Sequence, residues 1–189
     1  PRSGNSPVLL KGSFTQVLVD TFTNKNIEVL FPDTFIPTPV ISWLIKKENL
    51  SGGLILTASH NPPEYNGIKF NPSNGAPAPT ETTKIIEEKI SECISDPILV
   101  KTKKRSPIII SNTATHFAED LIKNITNFIP LSKKENLSSI SLAIDAKHGT
   151  VSQTWIAILK ILNIENNCIL NAEPRSDFGN INPNPTKLE

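Results

Sequence analysis

The sequence predicts an α/β fold: a mixed, mostly parallel sheet flanked by helices, followed by an incomplete second α/β domain. Three observations carry this expectation. Segments with apolar residues at three- and four-residue steps alternate with short β-branched runs, so helical and strand periods take turns along the chain. The tetrad Gly53 to Leu56 is apolar throughout, as strands covered on both faces of a parallel sheet are. The polar, aperiodic stretch Leu131 to Ser139 then sets one βαβ unit apart from what precedes it.

Taken in order, Leu10, Phe14, Val17, Leu18 and Phe22 follow Ser6-Pro7, a cap and a first-turn proline, and predict a helix from about Ser6 to Thr23. Ile27 to Phe31 is a short apolar run closed by Pro32. Thr38-Pro39 repeats the cap-plus-proline signal before Val40 to Lys47, a second helix. The strand Gly53 to Leu56 follows, and Ile68 to Phe70 reads as a short returning strand. Thr80 is placed to cap a helix whose inner face is Ile86, Ile90, Cys93 and Ile94. Val100 to Arg105 reads as a basic connector, and Phe117, Leu121, Ile125 and Phe128 mark a further helix that ends before Pro130. Beyond the polar stretch, Leu142 to Ile144 is a strand, Trp155, Ile158, Leu159 and Leu162 a helix face, and Cys168 to Leu170 a second strand. Domain boundaries are therefore expected at 1–135 and 136–189. One βαβ unit is not a domain, so the chain reads as a piece of something longer.

Composition narrows the function classes. Nineteen Lys and Arg stand against eighteen Asp and Glu, for a net charge of +1 with no basic block, so no nucleic-acid partner is expected. The longest apolar run, Val40 to Ile45 with Ser42 inside it, is far shorter than the roughly 18 residues of a membrane span, so no membrane partner is expected either. Cys93 and Cys168 lack metal-ligand spacing and cannot build a disulfide framework; two buried thiols in a reducing, cytoplasmic setting are the expectation. Proline, at 16 of 189 residues, exceeds the usual share of about 5%.

Chemistry concentrates between Leu54 and Phe70. A buried parallel strand delivers its carboxyl end to the crevice where α/β proteins bind ligands, and there the chain offers Thr57, Ser59, His60 and Asn61. Asn66-Gly67 is a turn signal, since both residues tolerate positive φ, and the turn can aim Lys69 at the same opening as Ser59. A serine hydroxyl becomes a nucleophile or phosphate carrier only when a base takes its proton and cations hold its charge. Lys69 and His60 can serve both needs. Taken singly, a Ser-His pair is also an ordinary loop cap, and Asn-Gly an ordinary hairpin.

Thr57-Ala58-Ser59-His60-Asn61-Pro62 with Asn66-Gly67-Ile68-Lys69 resembles the phosphoserine loop of the α-D-phosphohexomutases. Asn71 to Pro79 resembles the phosphoglucomutase version more than that of phosphoglucosamine mutases. Ile144 to Thr150 and Asp177 to Pro185 resemble the start of the family's second domain, where His148 and Gly149 read as a strand-to-helix turn. The resemblance implies the amino-terminal part of a four-domain phosphosugar mutase. Such an enzyme interconverts hexose 1-phosphate and hexose 6-phosphate, glucose above all, through a phosphoserine and a bisphosphate. It further implies Ser59 as the phosphorylated residue, His60 and Lys69 as the acid/base pair, and Thr57, Asn61, Asn66 and Gly67 as loop support. Magnesium is the implied ion, reached from this chain by Ser59 through its phosphate, and glucose 1,6-bisphosphate the implied activator. The aspartates here, Asp20, Asp33, Asp96, Asp120, Asp145 and Asp177, are solitary, so the main metal ligands are expected outside this chain. This fragment alone is expected to be inactive. A catalytically silent relative used as a binding or structural protein, and a simple serine phosphohydrolase, are the competing readings; the sequence leaves sugar choice and oligomeric state open.

Overall fold

Helices and short strands alternate in the computed structural model, which describes residues 12–95, 106–128 and 139–184. The first helix, α1 (Phe14–Asn24), is capped by Ser13, whose hydroxyl accepts from Gln16 N. Gly12 has a φ of 83° and Ser13 is extended, so the helix does not run unbroken from Ser6 as the periodicity predicts. Leu10 lies outside the described residues. β1 (Leu30–Pro32) leads to α2 (Thr38–Lys47), where Pro39 occupies the first turn and Pro37, not Thr38, stands at the cap. β2 (Gly52–Leu56) and β3 (Ile68–Pro72) come next, then α3 (Thr80–Ser95), β4 (Ile108–Ile110) and α4 (Thr113–Phe128). β5 (Leu142–Asp145), α5 (Ser152–Leu162) and β6 (Asn167–Leu170) complete the series, with a short 3-10 turn at Phe178–Asn180.

The strands pair two by two. β1 lies parallel to β4, and β5 parallel to β6, the latter joined through α5 as the βαβ reading requires. β2 departs from expectation: its partner is β3, antiparallel, in the register Gly53↔Asn71, Leu54↔Phe70, Ile55↔Lys69 and Leu56↔Ile68. An apolar tetrad signals burial but not direction of pairing, and of its residues only Ile55 is fully buried. Alternation puts Gly53, Ile55, Lys69 and Asn71 on one face of this pair. Helix α2 packs there: a Cβ on Gly53 would stand 2.9 Å from Ile45 Cδ1 and 3.0 Å from Ile41 Cγ2, so the helix comes this close only because the residue is glycine.

A core runs between α4 and α5, with Ala118, Ala157 and Ile158 buried and Leu121, Ile122, Trp155, Ile161 and Leu162 packed around them. The small Ala118, at 0% exposure, lets the two helices approach. This contact spans the stretch expected to separate two domains, of which residues 131–138 lie outside those described, as does the Val100–Arg105 connector. α2 joins the same assembly. Trp43 Nε1 and Lys47 Nζ both donate to the Asp120 carboxylate of α4, at 3.1 and 2.9 Å, and Trp43 meets Phe117 edge-on at a ring separation of 5.6 Å. Two donors hold the Asp120 carboxyl below its usual range, the Lys47 contact foremost.

Two burial expectations are corrected. Ile86, Ile90, Cys93 and Ile94, the stripe assigned to an inner face of α3, are exposed, because amphipathic spacing marks a face without supplying a partner for it. Cys93 and Cys168 are both exposed free thiols rather than buried ones. Among the described residues no helix is long and apolar enough to cross a membrane.

Candidate phosphoryl-transfer site

The loop from Thr57 to Gly67 closes the β2–β3 hairpin. Thr57 N donates to the Gly67 carbonyl at 2.9 Å, extending the ladder one pair past Leu56↔Ile68. A Cβ on Gly67 would lie 3.1 Å from the Thr57 carbonyl oxygen, which explains a small residue there. Asn66 Oδ1 accepts from the adjacent Gly67 N at 2.9 Å. Positive φ is the use the sequence suggests for Asn66-Gly67, yet neither residue adopts it. The loop's left-handed residue is Ser59, with a φ of 57°. Bonds from Asn61 N to Ala58 O and from Tyr65 N to Pro62 O turn the rest of the loop.

A side-chain-bearing residue with φ near +60° is strained by about 1–2 kcal/mol relative to the ordinary regions, and such strain collects at working sites. Here Thr57 Oγ1 compensates by accepting from Ser59 N at 3.0 Å. The consequence is an exposed Ser59 hydroxyl at the end of a strand, beside an exposed His60 whose Nδ1 lies 3.4 Å from Ser59 Oγ. That is a long contact, and it leaves the imidazole able to move onto a ligand. Lys69 is exposed on β3 opposite Ile55, two pairs inside the Thr57–Gly67 closure. The structure thus brings Thr57, Ser59, His60, Asn61, Asn66 and Gly67 into one loop and sets Lys69 on the strand that returns from it.

No group of three His, Cys, Asp or Glu side chains suited to a metal stands together among the described residues. Asp145 is engaged otherwise: Asn171 Nδ2 and Lys147 N donate to its carboxylate at 2.8 and 2.9 Å and hold its carboxyl below the usual range. His148 Nδ1 lies 2.8 Å from the Glu173 carbonyl, which only accepts, so this nitrogen carries the proton. A Cβ on Gly179 would stand 2.5 Å from the same ring, and the His148 carbonyl accepts from Arg175 N. These are the contacts of a loop staple.

One residue that motif reasoning misses is Asn71, buried at 1% exposure on the α2 face of β3. Beyond its place at the head of the Asn71 to Pro79 stretch, to which the resemblance assigns no role, its sequence signal is a carboxamide inside a strand just ahead of a Pro-Ser-Asn-Gly turn.

Comparison with known proteins agrees with this architecture. Residues 10–95 match the family described as phosphoglucomutase/phosphomannomutase, alpha/beta/alpha domain I. A phosphoglucomutase of Staphylococcus aureus (strain MRSA252) is 30% identical over 170 residues, which are 89% of this chain and 30% of that protein. The chain thus spans about a third of the length of that curated relative. In structure, a protein from Thermus thermophilus described as a phosphomannomutase superposes with a TM-score of 0.74 at 24% identity, over 95% of this chain and 38% of the other. The phosphoprotein pp63/parafusin of Paramecium, a phosphoglucomutase in open form, gives 0.66 at 23% identity, over 91% and 36%. At those identities the superpositions speak for the fold.

Proposed function

The chain belongs to the α-D-phosphohexomutase superfamily, and on that premise we propose that it is the amino-terminal part of a phosphosugar mutase. Residues 1–135 form its first domain and 136–189 the start of its second. The reaction interconverts hexose 1-phosphate and hexose 6-phosphate, most readily of glucose, in the cytoplasm. Ser59 carries a phosphoryl group. A free sugar hydroxyl attacks that phosphorus, the bond to Ser59 Oγ breaks, and the hydroxyl proton passes to Lys69 or His60 acting as base. The bisphosphate so formed presents its other phosphoryl group to Ser59 Oγ, which regains it and releases the isomeric monophosphate. Glucose 1,6-bisphosphate enters the same cycle as activator. Magnesium, if drawn to this chain, meets it through the phosphoryl oxygens on Ser59, with its main ligands elsewhere in the full-length protein. The 189-residue chain alone is inactive on this reading.

The observation that supports it best is Ser59 itself: strained into the left-handed region, exposed, tied by Thr57 and flanked by His60 on a hairpin that returns through Lys69. The test is to incubate the full-length protein with labelled glucose 1,6-bisphosphate and map the label. Label on the Ser59 peptide is the expected result, and label that survives Ser59→Ala overturns the assignment.

A further inference from the structure

At the end of the β2–β3 pair remote from the loop, three residues form a clasp. The Asn71 carboxamide nitrogen donates to Ser42 Oγ on α2 at 3.1 Å and to the Gly75 carbonyl, in the turn after β3, at 3.0 Å. An amide nitrogen carries two hydrogens in one plane, so two acceptors on two different elements exhaust it and fix both at once. The turn is pressed against the same helix residue. Gly75 has a φ of 76°, and a Cβ there would stand 2.7 Å from the Ser42 carbonyl oxygen. Beside the clasp, Gly53 opposite Asn71 leaves room for Ile41 and Ile45.

Buried carboxamides are costly to place in a strand unless every donor is met, and an apolar residue would serve mere packing as well. What the clasp adds is position along the helix axis. Asn71 and Lys69 share one face of β3, a single pleat apart, so the bond from Asn71 to Ser42 sets where Lys69 stands against α2. Hydrophobic contacts with Ile41 and Ile45 permit sliding; the directed hydrogen bond from Asn71 to Ser42, with the Gly75 turn seated against the same helix residue, does not.

We propose that Asn71 is a positioning residue for phosphoryl transfer, acting through Lys69 by locking β3 to Ser42 and Gly75. The proposal rests on the reading of Ser59 and Lys69 given above. Its test uses the full-length protein, with glucose 1-phosphate as substrate, glucose 1,6-bisphosphate as activator, and kcat expressed per mole of Ser59 that takes label at saturation, so that misfolded protein drops out. Asn71→Leu and Asn71→Asp keep the size and abolish the paired donors. Each is expected to lower kcat at least tenfold with KM within twofold of the unsubstituted protein. Ser42→Ala removes one acceptor, keeps the bond to Gly75, and is expected to lower kcat two- to fivefold with the same KM. Should the Asn71 variants not fold, Ser42→Ala decides. An unchanged kcat per labelled Ser59, or a loss carried wholly by KM, overturns the inference. An unsubstituted protein whose Ser59 takes no label overturns the mutase reading and this inference with it, whereas labelled protein with unaffected variants overturns the inference alone.

Discussion

Replacing Thr57 by valine isolates the strain at Ser59. The side chains are nearly the same shape, and the change removes one interaction, the 3.0 Å bond by which Thr57 Oγ1 accepts from Ser59 N. The bonds from Thr57 N to Gly67 O and from Asn61 N to Ala58 O stay. Ser59 is exposed, so its freed N–H finds water and no burial penalty arises. The loss is then the net worth of one hydrogen bond, about 0.5–1.5 kcal/mol. Against a left-handed conformation that costs about 1–2 kcal/mol for a residue with a side chain, this is enough to shift the preferred backbone. Converted to populations, the competent arrangement falls by roughly 2- to 13-fold. The assay is single-turnover transfer of label from glucose 1,6-bisphosphate to Ser59 in the full-length protein. Thr57→Val should slow it by that factor, and Thr57→Ser, which keeps the acceptor, should stay within twofold. A valine variant as fast as the unsubstituted protein, or a serine variant as slow as valine, would refute the claim that the bond holds Ser59 in its working conformation.

Lys69→Met in the full-length protein should lower turnover by roughly the 10² to 10⁴ expected of a positioned acid/base group, and a change below threefold would mark Lys69 as a solvated strand residue. The Arg175 guanidinium, with Gly179 N, holds the Asp177 carboxyl at about 2 against an ordinary 3.8. A carboxyl depressed on folding stabilises above its unfolded value and loses that contribution as pH falls through the folded one, so the 175–179 turn should loosen between about pH 4 and 2. Carboxyl NMR should show Asp177 titrating low and Arg175→Gln restoring it toward 3.8; an ordinary midpoint in the unsubstituted chain would contradict the clamp. Ala118→Leu overfills the α4–α5 contact and should destabilise by about 1–3 kcal/mol, followed by Trp155 fluorescence in a Trp43→Phe background. A melting midpoint unmoved by the substitution would mean that the two helices do not share a core.

Local signals carry much of this structure. Periodicity locates α2, α4 and α5, and the run from Thr57 to Lys69 stands out because a hydroxyl, an imidazole and an amine cluster at a strand end. What the sequence hides is what depends on neighbours distant along the chain. β4 escapes a reading by periodicity because Ile108–Ile110 is only three residues long and is defined by its pairing with Leu30–Pro32. The apolar tetrad of β2 does not show its direction, because burial is local and pairing is not; the Asn-Gly turn and the returning strand after it are the signal of the antiparallel pair. Taken as part of a lone βαβ unit, Trp155, Leu159 and Leu162 should leave apolar surface open. In the structure Leu159 is buried and the other two pack against a cluster to which Ala118 of α4, outside that unit, contributes. Strain at Ser59 is invisible in the sequence because Asn-Gly nearby offers the easier positive φ, whereas in the structure Ser59 takes it and its N–H is met by the Thr57 hydroxyl.

These corrections meet at α2. Its outer side is bound to α4 by Trp43 and Lys47 on Asp120, and α4 in turn shares a core with α5. On its sheet-facing side, Ile41 and Ile45 lie over Gly53 while Ser42 receives Asn71. One helix therefore transmits the packing of the second βαβ unit to the strand pair that carries Ser59 and Lys69. The rigid side of that path is short, since each step is either a buried contact or a directed hydrogen bond. The Thr57–Gly67 loop lies beyond it, largely exposed, with bonds of its own from Ser59 N to Thr57 Oγ1 and from Asn61 N to Ala58 O. A fixed strand bearing the amine and a locally strained loop bearing the hydroxyl suit a site where one group must stay put while the other takes up and gives back a phosphoryl group.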